Sequence, residues 1–252
     1  ELAKSTRDLR AVRRAAQLAY DSRKMEQTLE AFRLWYELEP QSAIPRQMLA
    51  TVLASGGKLA EARPYLAELL AADPNNVGRI FIQIYPLFAR HGDKLSVYKL
   101  LSELAQQYPR IAEVHWVLAQ AAEAAARHAD ALREVRQART LRPEWDLPVL
   151  LEAQLLQTEA PAAALATVKI FLDDYPEADE ARLFYARALL EQKQYRESRI
   201  QFQLLHKKKP ENADLAFAIA LLSLQMGELD RAESELKQML VAGKKDSVTV
   251  HY

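Results

Sequence analysis

The 252-residue sequence contains no cysteine. That excludes disulfides, a thiol nucleophile and any thiolate metal site. Glycine is scarce, with six in the chain and most of them at turns, so there is no glycine-rich loop to cradle a phosphate. No P-loop, GxGxxG or GxSxG motif occurs. Charge of one sign is not in excess, since 34 acids balance 34 lysines and arginines, and composition gives no support to polyanion binding, nucleic acid included. No apolar run approaches the ~20 residues needed to span a bilayer. Strand-like alternation, low-complexity tracts and flexible linkers are also missing.

Residues that carry chemistry are thinly spread. His91, His115, His128, His206 and His251 form no i, i+3 or i, i+4 pair and no HExxH motif. His91, His128 and His206 fall near expected helix ends. Asp173-Asp174 is the most conspicuous carboxylate pair, but adjacent residues on a helix diverge, and acid/base chemistry would need a third group that the sequence does not supply. Basic residues cluster at Arg7/Arg10/Arg14, Arg133/Arg136/Arg139 and Lys207-Lys208-Lys209. They read as solvated faces or as cations at the negative end of a helix dipole, since RNA binding would need exposed aromatics interleaved with them. We assign no catalytic residue, no cofactor and no metal ligand.

What the sequence does have is a period. Pro40, Pro74, Pro109, Pro143, Pro176 and Pro210 each follow an apolar helical run, at intervals of 34, 35, 34, 33 and 34 residues. Proline fixes φ and lacks an N–H, so each one stops a helix. One stop per 34 residues implies one structural unit per 34 residues. The units fall at about 9–42, 43–77, 78–111, 112–144, 145–178, 179–212 and 213–246, with 1–8 as the end of a preceding unit and 247–252 as the start of a following one. At the twentieth, twenty-fourth and twenty-seventh places stand Thr28, Phe32 and Trp35 in the first unit, and Ala62, Leu66 and Leu69 in the second. The same small–large–large series recurs in the other five, and such spacing puts all three residues on one helical face. Gly57, Gly92 and Gly227 mark the break between the two helices of a unit, where a helix end uses φ > 0.

Details follow from local signals. The first helix is expected between Thr6 and Ser22 and the third unit's first helix around Ile80–Arg90, kinked at Pro86. Pro45 falls in a first turn, Pro64 bends its helix, and Pro161 opens one. Asp179 and Asn212 are the expected N-caps. The fifth unit is one residue short, and its first helix can be read in two registers.

The pattern resembles the tetratricopeptide repeat, a helix–turn–helix unit of this length ending in proline. Ala43–Asn76 carries the resemblance most fully, with Leu49, Ala50, Gly57, Ala62, Leu66 and Leu69 in place. It implies an all-α, right-handed superhelix of about seven units forming a single array over 1–252, and a role in binding other proteins or peptides. In that family the first helices line a concave groove. The matching places here hold Arg13 in the first unit, Gln47 in the second and Ile82 in the third. They hold Trp116 and Gln120 in the fourth, Leu183 and Arg187 in the sixth, and Phe217 and Leu221 in the seventh. Ile82, Trp116, Leu183, Phe217 and Leu221 are apolar beyond what the core series requires, so they are candidates for an exposed partner surface. A Lys/Asn/Arg clamp for a peptide carboxylate is not matched, because the asparagines are missing.

The expectation is a non-catalytic scaffold or adaptor with a protein partner and no nucleic acid. The general flavour of the repeats resembles bacterial envelope lipoproteins that assist assembly, and favours periplasm or outer membrane over cytoplasm. The alternative is a structural scaffold that self-associates end to end through its terminal units.

Overall fold

A computed structural model describes residues 6–90 and 93–246. His91, Gly92, His251 and the segments 1–5 and 247–252 lie outside the described residues. Among the described residues there are fourteen α-helices and no strand. They are α1 (Leu9–Asp21), α2 (Met25–Leu38), α3 (Ala43–Ser55), α4 (Leu59–Ala72), α5 (Val77–Phe88), α6 (Lys94–Ala105), α7 (Ala112–Ala124) and α8 (His128–Leu141). They continue with α9 (Asp146–Leu156), α10 (Pro161–Asp174), α11 (Asp179–Glu191), α12 (Tyr195–Lys208), α13 (Ala213–Gln225) and α14 (Leu229–Asp246). The helices group into two compact units, Glu1–Pro143 and Glu144–Tyr252.

Within the first unit α1 packs on α2, α3 on α4 and α7 on α8, while α3, α5 and α7 pack side by side. The second unit pairs α9 with α10, α11 with α12 and α13 with α14, and α9 packs on α11. The repeated small–large–large face is the glue. Ala131, Val135 and Ala138 are fully buried on α8, as are Ala164, Val168 and Phe171 on α10 to within a few per cent. Where the small place holds a hydroxyl, the hydroxyl is satisfied inside the helix pair. Ser198 donates to the Ala186 carbonyl at 2.7 Å and Thr28 to the Lys24 carbonyl at 2.9 Å. In the second repeat the burial expected of Leu69 passes to its neighbour Leu70, which is 1% exposed.

Turns within the helix pairs repeat as closely as the cores. Arg23, Gly57, Ala126, Lys193 and Gly227 all have φ between 50 and 80°. After each of them the next residue's N–H reaches the carbonyl five residues back, as in Lys58 to Leu53 at 2.9 Å and Arg127 to Ala122 at 2.8 Å. This is a left-handed helix stop, and three of the five turns build it without glycine. The fifth helix pair departs from it. Ala153, fully buried on α9, lies 34 residues after Ala119 and 33 before Ala186, so the residue this pair lacks is taken from its turn. Pro161 then opens α10 directly behind Ala160.

Three sequence expectations are corrected. The first helix starts at Leu9 rather than Thr6, because Asp8 caps it by accepting from the Ala11 N–H at 2.9 Å. Asn212 caps α13 in the same way, but Asp179 does not cap α11. It is the first helical residue, and its carboxylate pairs with Lys208 at 2.7 Å and Lys209 at 3.3 Å, which hold it below the usual carboxylate range. Finally, α5 runs through Pro86 and stops at Phe88, short of Arg90.

A further device joins the second, fourth and sixth repeats each to the one before it. Arg46, His115 and Arg182 occupy the same place, the fourth of their repeats. Each reaches back to the carbonyl of the preceding register proline: Pro40 at 2.9 Å, Pro109 at 3.0 Å and Pro176 at 2.6 Å. Each also engages the second helix of its own pair, through Glu68 at 3.3 Å, Glu134 at 2.8 Å and Gln201 at 2.7 Å. One side chain thus ties the end of one repeat to both helices of the next.

Candidate functional site

The first-helix residues singled out from the sequence lie in both units. In the first unit Arg13 is exposed on α1 but committed. Its guanidinium makes two bonds to the Glu39 carboxylate, at 2.8 and 2.7 Å, and sits 5.4 Å from the centre of the Trp35 ring. Trp35 donates its indole N–H to the same carboxylate at 2.8 Å. That bond first, and Arg13 second, hold Glu39 below the usual carboxylate range. Gln47 is exposed on α3. Ile82 on α5 and Trp116 on α7 are half-buried and pack against the core. Gln120 is half-buried, with a long 3.5 Å contact from its side-chain amide to the Trp116 carbonyl. Ile44, 56% exposed on α3, is the most exposed large apolar side chain on this unit's first helices among the described residues.

In the second unit Leu183 on α11 is half-buried against the core formed with α12 and α13. Arg187, one turn further along, is exposed. The open apolar surface lies on α13. Leu215, Ile219, Ala220, Leu222 and Ser223 form its buried side. Phe217, 54% exposed, and Leu221, 39%, stand on the other side with Leu224. Their spacing of four and then three residues makes a continuous stripe.

The basic and acidic clusters are largely spent on one another. Arg133 bonds Asp130 at 2.5 Å and Glu134 at 3.0 Å, and Lys208 bonds Glu177 at 2.9 Å. His128 meets Glu123 at 2.6 Å. Among the described residues no group of three or more His, Asp or Glu side chains is placed to hold a metal. No helix there is long and apolar enough to cross a membrane.

Sequence reasoning overlooked a second set of exposed apolar residues. Ile170 on α10 and Ile200 and Leu204 on α12 are 60%, 52% and 43% exposed. Ile170 and Leu204 are 34 residues apart, at one place in successive repeats. The signal that finds them is apolar residues lying off the small–large–large face of a second helix.

Comparison with known proteins agrees with the geometry. Residues 155–205, from the end of α9 into α12, match the family described as Tetratricopeptide repeat. These residues carry the tetratricopeptide repeat, and the chain has the tetratricopeptide-repeat fold. No curated protein is matched by the sequence. Among solved structures, a double mutant of MamA from RS-1 is similar over 68% of this chain and 97% of its own, at 13% identity and a TM-score of 0.52. A crystal structure of MamA is similar over 62% of this chain and 91% of its own, at 13% identity and a TM-score of 0.51. MamA of AMB-1 is 16% identical, with a TM-score of 0.50 over 68% of this chain and 94% of its own. At these identities the likeness is one of fold.

Proposed function

We propose that this chain is a non-catalytic scaffold that takes a protein or peptide partner on its first helices, anchored on the Phe217–Leu221–Leu224 stripe. The observation that carries the reading is that α13 is apolar on both sides while only one side is covered by its own fold. A helix apolar all round is normally buried all round. A half-exposed phenylalanine flanked by leucines has the composition of an interface anchor. Arg187, exposed on the neighbouring first helix, supplies a cation for an acidic or carbonyl group of the partner. In the first unit the polar groups of Arg13 and Gln120 are already engaged within the fold.

The test is affinity capture with the wild-type chain and with Phe217→Ala/Leu221→Ala, from envelope and soluble extracts in parallel. A partner retained by the wild type and lost by the double mutant supports the reading. The same partner held equally by both overturns it. Sedimentation of the two proteins covers the alternative scaffold: self-association abolished by the double substitution would make a second copy the partner.

A further inference from the structure

Of the three side chains that tie a repeat to its predecessor, two are arginines and one is His115. An arginine carries its charge at any physiological pH; a histidine does not. The surroundings of His115 require the charged form. Its Nδ1 lies 2.8 Å from a Glu134 carboxylate oxygen and its Nε2 3.0 Å from the Pro109 carbonyl oxygen. A carbonyl has no proton to give. Glu134 is held as a carboxylate by Arg133, at 3.0 Å, which is itself steadied by Asp130. Both ring nitrogens therefore face acceptors, and a neutral imidazole, with a single N–H, satisfies only one of them.

We propose that His115 makes the joint between the third and fourth repeats responsive to pH, closing it as the imidazolium and releasing Pro109 when the ring loses its second proton. The neutral ring keeps its proton on Nδ1, because the alternative tautomer would turn a lone pair toward the Glu134 carboxylate. The bond given up is then the one to the end of the preceding repeat.

The helices packed against α7, which are α5, α6 and α8, all carry charged groups. On α8 they include Glu134, with Arg133 and Asp130 behind it. On α7 itself Glu113 is neutralised by Arg142 at 2.7 Å. On α6, Glu103 is taken by Arg63 at 2.9 Å, and Lys94 donates to the Ala89 carbonyl at 2.5 Å. Lys99 of α6 and Arg79 of α5 are exposed. Among the described residues only Glu134 forms an ion pair with His115. Burial alone would push the imidazole down, but the Glu134 and Pro109 bonds outweigh it and leave it raised above the ordinary histidine value. With the folded value raised, the stabilisation is complete below the unfolded value of about 6.5 and is lost as pH rises through the folded one.

The test uses the whole chain. Ring signals of His115 are followed by NMR from pH 5.5 to 9, and melting is recorded over the same range for wild type, His115→Arg and His115→Gln. The expected result is a His115 midpoint above that of a free histidine, with a wild-type melting temperature that falls by a few degrees across it. His115→Arg, which copies Arg46 and Arg182, should remove that step while keeping the acid-side melting temperature. His115→Gln should sit at the wild type's alkaline level throughout. A His115 midpoint at or below the free value, or a step that survives in His115→Arg, overturns the proposal. The ring titration is read on wild type, so it decides the question even if a variant folds poorly.

Discussion

Arg182→Met tests whether the proline-carbonyl tie contributes to stability or only fills space. Arg182 is 8% exposed. It donates to the Pro176 carbonyl at 2.6 Å and to the Gln201 side-chain oxygen at 2.7 Å, and its Nε has no partner. Two hydrogen bonds from a charged donor are worth about 1.5–3 kcal/mol each, so roughly 3–6 kcal/mol is lost when methionine replaces it. Against that, no carboxylate pairs with this guanidinium among the described residues, and relieving a buried charge of its desolvation returns a few kcal/mol. Methionine keeps the length and most of the packing of the aliphatic stem. The balance is a destabilisation of about 1–3 kcal/mol, since the Pro176 carbonyl and Gln201 are left without their donor. Urea unfolding followed by circular dichroism reads this as a lower midpoint with an unchanged slope. Arg182→Ala should cost about 1–2 kcal/mol more, through the cavity left by the stem. Arg182→Lys, with one compact ammonium in place of a fork, should fall between wild type and Met. The reasoning is refuted if Arg182→Met is as stable as wild type or more so, because desolvation would then outweigh both bonds.

Two further tests separate packing from surface and turn chemistry. Phe217→Ala/Leu221→Ala should change stability by no more than about 0.5 kcal/mol, as expected of exposed positions, whereas Phe202→Ala, at 4% exposure, should cost about 3–5 kcal/mol. Equal losses in the two urea titrations would mean that the α13 stripe is core and no partner surface. Ala126, at φ 55°, holds in alanine a conformation that costs an L-residue about 1–2 kcal/mol, so Ala126→Gly should gain about 0.5–1 kcal/mol after the added chain entropy is subtracted. Gly227→Ala should lose a similar amount for backbone reasons alone, because a Cβ there meets nothing within 4 Å. Melting of the two variants beside wild type checks both signs.

The parts of the fold that could be read from the sequence are those written in a period. Six prolines and the small–large–large series are repeated signals, and each repetition corrects a local misreading. Turns were legible only where they use glycine. Arg23, Ala126 and Lys193 adopt the same left-handed stop because the helix before and the helix after demand it, and nothing in those residue types announces it. The fifth repeat was ambiguous for a related reason. A missing residue can come out of a helix or a turn, and only the burial of Ala153 shows that the turn gave it up.

The candidate site was harder to read, because helical spacing gives the direction of a side chain and leaves open how close the next helix comes. Phe217, Trp116, Ile82 and Leu183 hold the same fifth place in their repeats, yet Phe217 is 54% exposed while the other three are half-buried against their cores. The difference is set by neighbours. Ile82 stands on α5, which has α3 on one side and α7 on the other. α13 has its partners in α12 and α14, which cover the Leu215–Ile219 side and leave Phe217 open. The fourth place was overlooked altogether, since an arginine or histidine one turn into a helix reads as a solvated residue. Only the distances to Pro40, Pro109 and Pro176 show it folding back to the preceding repeat. Pro40, Pro109 and Pro176 therefore do two things: each stops a helix, and each presents a carbonyl that the next repeat engages. A substitution at the fourth place should then disturb the preceding repeat's end as much as its own helix. Faster amide exchange at Glu177 and Ala178 in Arg182→Met, beside that of α11, would show this coupling, and exchange confined to α11 would refute it.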